Sequence, residues 1–268
     1  GPFGATDPLY VASAYYYEDT RITAKSAEIL EKTEEAAEYQ KLADEILKAI
    51  RQTYFDENGL CTCKTQTGSA IAIMFGLNPS EKTRQQEGDM LAQRVEENNG
   101  HLNTGFVGTT MLCPALTGTG HHDIAVQLLL NEDYPGWLYS VNLGATTIWE
   151  RWDSVLKDGH LNAEGMNSLN HYSYGSIEAW MYGEVCGIRA SDAGFKKAVI
   201  APHADRRLGY AKCTLDTAAG CYRSSWHYEK DTVVYEIEVP FDAQAEFRAE
   251  GVEPQKLEAG TYIFNQIK

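Results

Sequence analysis

The chain has 268 residues, 43% of them apolar and 23% charged, a globular composition that excludes intrinsic disorder. Mean hydropathy is −0.39, and no stretch approaches the roughly 20 apolar residues of a membrane helix. Asp and Glu number 38 against 23 Lys and Arg, so the net charge is −15; such a surface repels phosphate backbones and anionic lipid, which excludes nucleic acid and membrane as partners.

In chain order, Asp7-Pro8 opens a helix through Leu9 to Glu31, rich in Ala, Tyr, Leu and Ile. From Glu34 to Tyr54 the positions Tyr39, Leu42, Ala43, Ile46, Leu47 and Ile50 recur at three- and four-residue spacing, with Glu and Lys opposite. That is an amphipathic helix with one buried stripe. Asp56-Glu57-Asn58-Gly59 reads as a turn. In Asn78-Pro79-Ser80-Glu81, Asn78 suits the N-cap, Pro79 the first helical position and Glu81 a capping box; Asn98-Asn99-Gly100 ends the helix. Phe106–Leu116 and Asp123–Leu130 are shorter helices separated by Gly118 and Gly120, and Tyr172–Cys186 is the last.

Residues 131 to 170 differ. Asn, Asp, Gly and Pro are frequent there and three of the five Trp occur, so this is a long, ordered and functional loop. After Gly187 the period becomes two. Val233, Tyr235, Ile237 and Val239 alternate with Thr232, Val234, Glu236 and Glu238, and Trp226 and Tyr228 precede them across Glu229-Lys230-Asp231 as a hairpin. Residues 198–200, 245–247 and 261–264 add short strands. The division expected is a helical part over residues 1–190 and an antiparallel β-sandwich over 191–268.

The six cysteines give a poor zinc pattern, since Cys61-x-Cys63 has no second pair at metal spacing. Cys213 and Cys221 could face one another across a hairpin, although free thiols are the simpler expectation. His121-His122-Asp123 lacks a third ligand and reads as a solvated helix start, so no metal site is expected. Gly-x-Ser-x-Gly, Gly-x-Gly-x-x-Gly and the P-loop pattern are all absent, which argues against serine hydrolases and nucleotide enzymes.

The sharpest run is Gly144-Ala145-Thr146-Thr147-Ile148-Trp149-Glu150-Arg151-Trp152-Asp153. Apolar rings and an adjacent arginine act on a carboxyl in opposite directions, an arrangement suited to general acid or base work. Alternatively, Glu150 pairs with Arg151 and pins the loop. Trp137, after Pro135-Gly136, is either a stacking platform for a sugar face or a half-buried anchor. His171 could donate a hydrogen bond to a hydroxyl, or be a satisfied core residue. The 16 Tyr, against 8 Phe, mostly suit helix seams.

Thr65-Gln66-Thr67, the run from Gly100-His101-Leu102-Asn103 to Thr109, the Gly144–Asp153 run and Met166–Tyr172 occur in that order, followed by Ala201-Pro202-His203. Together they resemble the C-terminal half of the bacterial α-L-rhamnosidases, glycoside hydrolase family 78. The resemblance covers nearly the whole chain. It implies part of an (α/α)6 barrel followed by a β-sandwich, and inverting hydrolysis of terminal α-L-rhamnosides without a cofactor. It places Glu150 as the general base, His171 against the bound rhamnose and Trp137 in the pocket wall. The substrate implied is a rhamnoside or rhamnose-containing glycan.

Inversion needs two carboxyls, roughly 6.5–9.5 Å apart. The family's acid motif, rich in Asp, Arg and Glu, has no match here. Six or seven helices are legible in the sequence, fewer than a closed barrel requires. The expected partner is therefore the N-terminal part of the same polypeptide, and Gly1-Pro2-Phe3-Gly4 reads as the start of a segment cut from it. Other readings are another inverting (α/α)6 hydrolase or phosphorylase, or a non-catalytic carbohydrate-binding fragment.

Overall fold

A computed structural model describes residues 6–267, so the Gly1–Gly4 opening lies outside the described residues. The chain divides into two compact units, one ending at Gly175 and the other beginning at Ser176.

The first unit is built from helices. Helix α1 (Pro8–Ile29) begins where Asp7 accepts the Leu9 N–H at 2.8 Å. Helix α2 (Thr33–Tyr54) packs back along α1 as a helical hairpin. Its stripe is as expected in direction, with Ala43 and Ile50 buried, but Tyr39 is exposed at its start. Asp56 makes the expected turn by accepting the Asn58 and Leu60 N–H groups at 2.9 Å each. Helix α3 (Gln66–Met74) has no counterpart among the helices expected from periodicity. Its residues from Gln66 to Ile73 are all buried, so the segment carries no polar face from which a period could be read.

Helix α4 (Glu81–Glu97) corrects the expected cap. Ser80 is the N-cap, and its Oγ accepts from Thr83 N while Thr83 Oγ1 accepts from Ser80 N. Asn78, the expected cap, is used in tertiary bonding: its carbonyl accepts from Arg51 Nη2 at 2.9 Å and its amide reaches the Gly59 carbonyl. The helix ends as expected, with Asn99 and Gly100 at positive φ. Its Glu87 is fully buried, accepts the Cys61 N–H at 2.8 Å and lies 3.7 Å from the Arg94 guanidinium. Helices α5 (Phe106–Thr117) and α6 (His122–Leu129) follow. At the start of α6, His121 bonds Asp89 at 2.9 Å and His122 bonds Thr117 at 3.1 Å.

Close packing of α5 on α3 explains the Gly108 position. A Cβ there would lie 2.2 Å from Thr67 Oγ1 and 2.9 Å from Thr104 Cγ2. Gly108→Ala is expected to lower unfolding stability by about 1–3 kcal/mol through overpacking, measured by urea denaturation of the full-length polypeptide.

The second unit begins with what the sequence suggests is one helix. It is three pieces instead: a 3-10 turn (Ser173–Ser176) that leads in from the first unit, a short α8 (Ile177–Trp180) and a π turn (Met181–Val185). Gly175 and Gly183 weaken the helix where it changes type. Strand β1 (Ile188–Ala190) then pairs antiparallel with β2 (Lys197–Ile200). Immediately before β1 lies Gly187, at φ 79°, whose Cβ would meet Pro202 N at 2.2 Å, so both backbone conformation and space demand glycine.

Strands β3 (Tyr210–Thr217), β4 (Gly220–Glu229), β5 (Thr232–Val239) and β8 (Gly260–Ile267) form one four-stranded sheet in the order β3-β4-β5-β8. The other contains β1, β2, β6 (Gln244–Ala249) and β7 (Val252–Leu257), in that order. The expected hairpin is β4–β5, and Val233, Tyr235, Ile237 and Val239 are its buried face. One feature departs from an all-antiparallel reading: β2 and β6 run parallel, with Ala198 opposite Ala245. They are distant in sequence and are joined by way of the other sheet, which lets them share a direction.

Phe247 of β6 is fully buried between the sheets, its ring 5.4 Å from Tyr235 of β5 and 4.3 Å from Phe264 of β8. The arrangement is thus a sandwich. Register corrects the idea that Cys213 faces Cys221: Cys213 opposes Ser224 and Cys221 opposes Asp216. All six cysteines are free.

Candidate active site

The Trp-rich loop is more structured than its composition suggests. It contains helix α7 (Trp137–Asn142) and an antiparallel bridge between Val155 and Leu161. Two of its extended stretches run alongside one another and set the candidate residues in place. His171 N–H donates to the Ile148 carbonyl at 2.8 Å, and Glu150 N–H donates to the Ser168 carbonyl at 2.9 Å. Thr147 Oγ1 closes the same ladder onto the Leu169 carbonyl. Glu150 and His171, 21 positions apart in sequence, are thereby carried on one paired backbone.

Glu150 is half-buried, and its Oε2 accepts the Ser168 N–H at 2.7 Å. Its other oxygen accepts no hydrogen bond from the described residues. Arg151 does not pair with it. That guanidinium donates to Asp153 Oδ1 at 3.1 Å and to the Glu164 carbonyl at 2.6 Å. Asp153 also receives the Asn162 amide at 2.8 Å. Arg151 and Asp153 thus pair with each other, and Glu150 is not pinned by Arg151.

His171 is oriented from both sides. Its ring stacks on Phe106 at 4.8 Å and 19°, and its Nδ1 accepts the Ser173 N–H at 3.4 Å. With Nδ1 facing the Ser173 N–H, Nε2 is the ring nitrogen placed to donate to a hydroxyl. Phe106 comes from the start of α5, and the approach to that helix is clamped: Gln66 Oε1 accepts the Asn103 N–H and Gln66 Nε2 donates to the His101 carbonyl at 3.0 Å. The Thr65–Thr67 and Gly100–Thr109 runs thus act structurally, presenting Phe106 to His171.

Trp137 is 6% exposed, and its indole N–H donates to the Tyr174 carbonyl at 2.9 Å. It meets Trp152 edge-on at 5.2 Å, and Trp152 stacks on Tyr174 at 3.9 Å. These three rings form an aromatic brace within the loop. In it, burial pushes the Tyr174 phenol up to about 12, so the ring is neutral. Sequence reasoning singled out neither Phe106 nor Tyr174, because nothing local to them reports a ring stacked from elsewhere in the chain. Among the described residues no group of three or more His, Cys, Asp or Glu could hold a metal ion, and no helix is long and apolar enough to cross a membrane.

The chain is thus a helical-hairpin domain with a carboxylate on an aromatic loop, followed by a β domain. Residues 1–185 match the bacterial alpha-L-rhamnosidase six-hairpin glycosidase domain and residues 187–259 the bacterial alpha-L-rhamnosidase C-terminal domain. The chain belongs to the bacterial α-L-rhamnosidase family.

An α-L-rhamnosidase of Formosa agariphila is 41% identical over 91% of the chain, and one of an Alteromonas species is 37% identical over 91%. The crystal structure of the Streptomyces avermitilis α-L-rhamnosidase complexed with L-rhamnose superposes with a TM-score of 0.90, at 32% identity over 96% of the chain. That of the Aspergillus terreus enzyme superposes with a TM-score of 0.94 over 99%. The chain spans 26% and 27% of the length of the two curated relatives, and 26% and 31% of the two solved chains.

Proposed function

We propose that this chain supplies the general-base side of an inverting α-L-rhamnosidase active site. The observation that carries the reading is the Glu150 carboxylate, held through one oxygen by Ser168 N–H and open at the other, on the same paired backbone as His171. In this reading the open oxygen of Glu150 takes a proton from water as that water attacks the anomeric carbon. The backbone N–H at Oε2 keeps the carboxylate from rotating away. His171 Nε2–H donates to a sugar hydroxyl, with Phe106 fixing its plane. Trp137 belongs to the pocket wall as its rear support.

The leaving-group oxygen requires a proton from a second carboxyl. Asp153, the nearest other acid in the loop sequence, is committed to Arg151 and Asn162. The general acid is accordingly assigned to the part of the polypeptide outside this chain, and the substrate to terminal α-L-rhamnosides.

The test is proton NMR of the full-length polypeptide acting on an aryl α-L-rhamnoside. The β-anomer of L-rhamnose is expected as the first product, ahead of mutarotation. First formation of the α-anomer would remove the general-base role. A second reading, carbohydrate binding without turnover, applies to this chain in isolation, because Asp153, the acid next nearest in sequence, is committed to Arg151 and Asn162. Calorimetry with L-rhamnose on the isolated chain would then give heat of binding without hydrolysis.

A further inference from the structure

Tyr172 follows His171 directly and is 87% exposed. Its ring nevertheless lies nearly parallel to the His171 ring, 5.4 Å away at 10°. Phe106, His171 and Tyr172 therefore form a three-layer stack in which the histidine is the middle plate and the tyrosine the outer one. Next to it in the chain, Leu169 is 39% exposed and Met166 is 82% exposed. Glu150's N–H partner, the histidine and this outer ring thus lie within one run of five residues, Ser168 to Tyr172.

A ring that is 87% exposed lacks most of the contacts that ordinarily reward burying an aromatic side chain. Here it is kept flat against a histidine that faces the sugar. A hydrolase specific for a terminal sugar encloses that unit and leaves the group attached to it at the rim. We propose that Tyr172 is the stacking platform for the aglycone, and that it selects rhamnosides whose leaving group has a flat apolar or aromatic face. This rests on the rhamnosidase reading above.

Inhibition of the full-length polypeptide tests this with two probes. L-rhamnose reports the sugar pocket alone. Phenyl 1-thio-α-L-rhamnoside, whose sulfur linkage resists hydrolysis, adds one aromatic ring in the aglycone position. Tyr172→Ala is expected to raise the inhibition constant of the thioglycoside about 10-fold, the loss of one aromatic stacking contact. The constant for L-rhamnose should stay within about twofold. Tyr172→Phe should restore the native value for both probes, because the ring and not the hydroxyl is the platform.

Equal weakening of both probes by Tyr172→Ala would overturn the proposal, since Tyr172 would then belong to the sugar pocket or to the fold. No change in either probe would also overturn it, and would mean that another part of the longer polypeptide or solvent covers the ring. Failure of the unsubstituted protein to bind L-rhamnose at all would instead sink the rhamnosidase reading on which the proposal rests.

Discussion

Glu150→Gln in the full-length polypeptide is expected to lower kcat on an aryl α-L-rhamnoside by about 10²–10⁴-fold, the usual contribution of a general base. KM should change little. The amide keeps the shape of the side chain, and its oxygen can still accept the Ser168 N–H that holds Glu150 Oε2 at 2.7 Å. What is lost is the basic oxygen at the open position. Steady-state kinetics separate the two effects, since a purely structural role for Glu150 would move stability and KM along with kcat. Near-normal turnover would take Glu150 out of the mechanism. Arg151→Ala makes a useful contrast. It releases Asp153 and the Glu164 carbonyl, so its effect runs through loop order.

Trp152→Ala should be the most destabilising change in the loop, by about 3–5 kcal/mol, as for other buried tryptophans cut to alanine. Trp152 is 3% exposed, stacks on Tyr174 at 3.9 Å and meets Trp137 at 5.2 Å. Its removal opens a cavity between two rings and frees the backbone that carries Glu150. Activity should fall together with the urea midpoint, in contrast to Glu150→Gln, which should leave the midpoint nearly unchanged. Trp152→Phe should recover most of the loss. It keeps an aromatic face on Tyr174 and removes an indole N–H that is buried without a hydrogen-bond partner. A midpoint for Trp152→Ala within experimental error of the unsubstituted protein would show that the three-ring brace carries no stability.

Much of the fold was legible where one face of an element meets water. Helix α2 and the β4–β5 hairpin announce themselves by period, because burial on one side and solvent on the other force alternation into the sequence, whereas α1 is read from its composition and Asp7-Pro8 start and α4 from its terminal signals. Helix α3 gave no such signal, being buried all round. The cap of α4 moved from Asn78 to Ser80 because tertiary bonds to Arg51 and Gly59 claimed the asparagine, which no local propensity foretells. The run Tyr172–Cys186 has the apolar spacing of one helix, yet it passes through 3-10, α and π turns.

The site divides in the same way. By itself the sequence determined which groups are chemically able to act: a carboxylate between two tryptophans, and a histidine 21 positions on. It also left Glu150 poised between catalysis and a pairing with Arg151. Only the tertiary structure removed that pairing, by giving Arg151 to Asp153 and placing Ser168 N–H on one Glu150 oxygen. It likewise turned Trp137 inward, where its N–H is held by the Tyr174 carbonyl. The physical reason is common to both. Residue type sets what a side chain can exchange, whereas hydrogen bonds and ring stacks between segments distant in sequence set which atoms are already spent and which remain free.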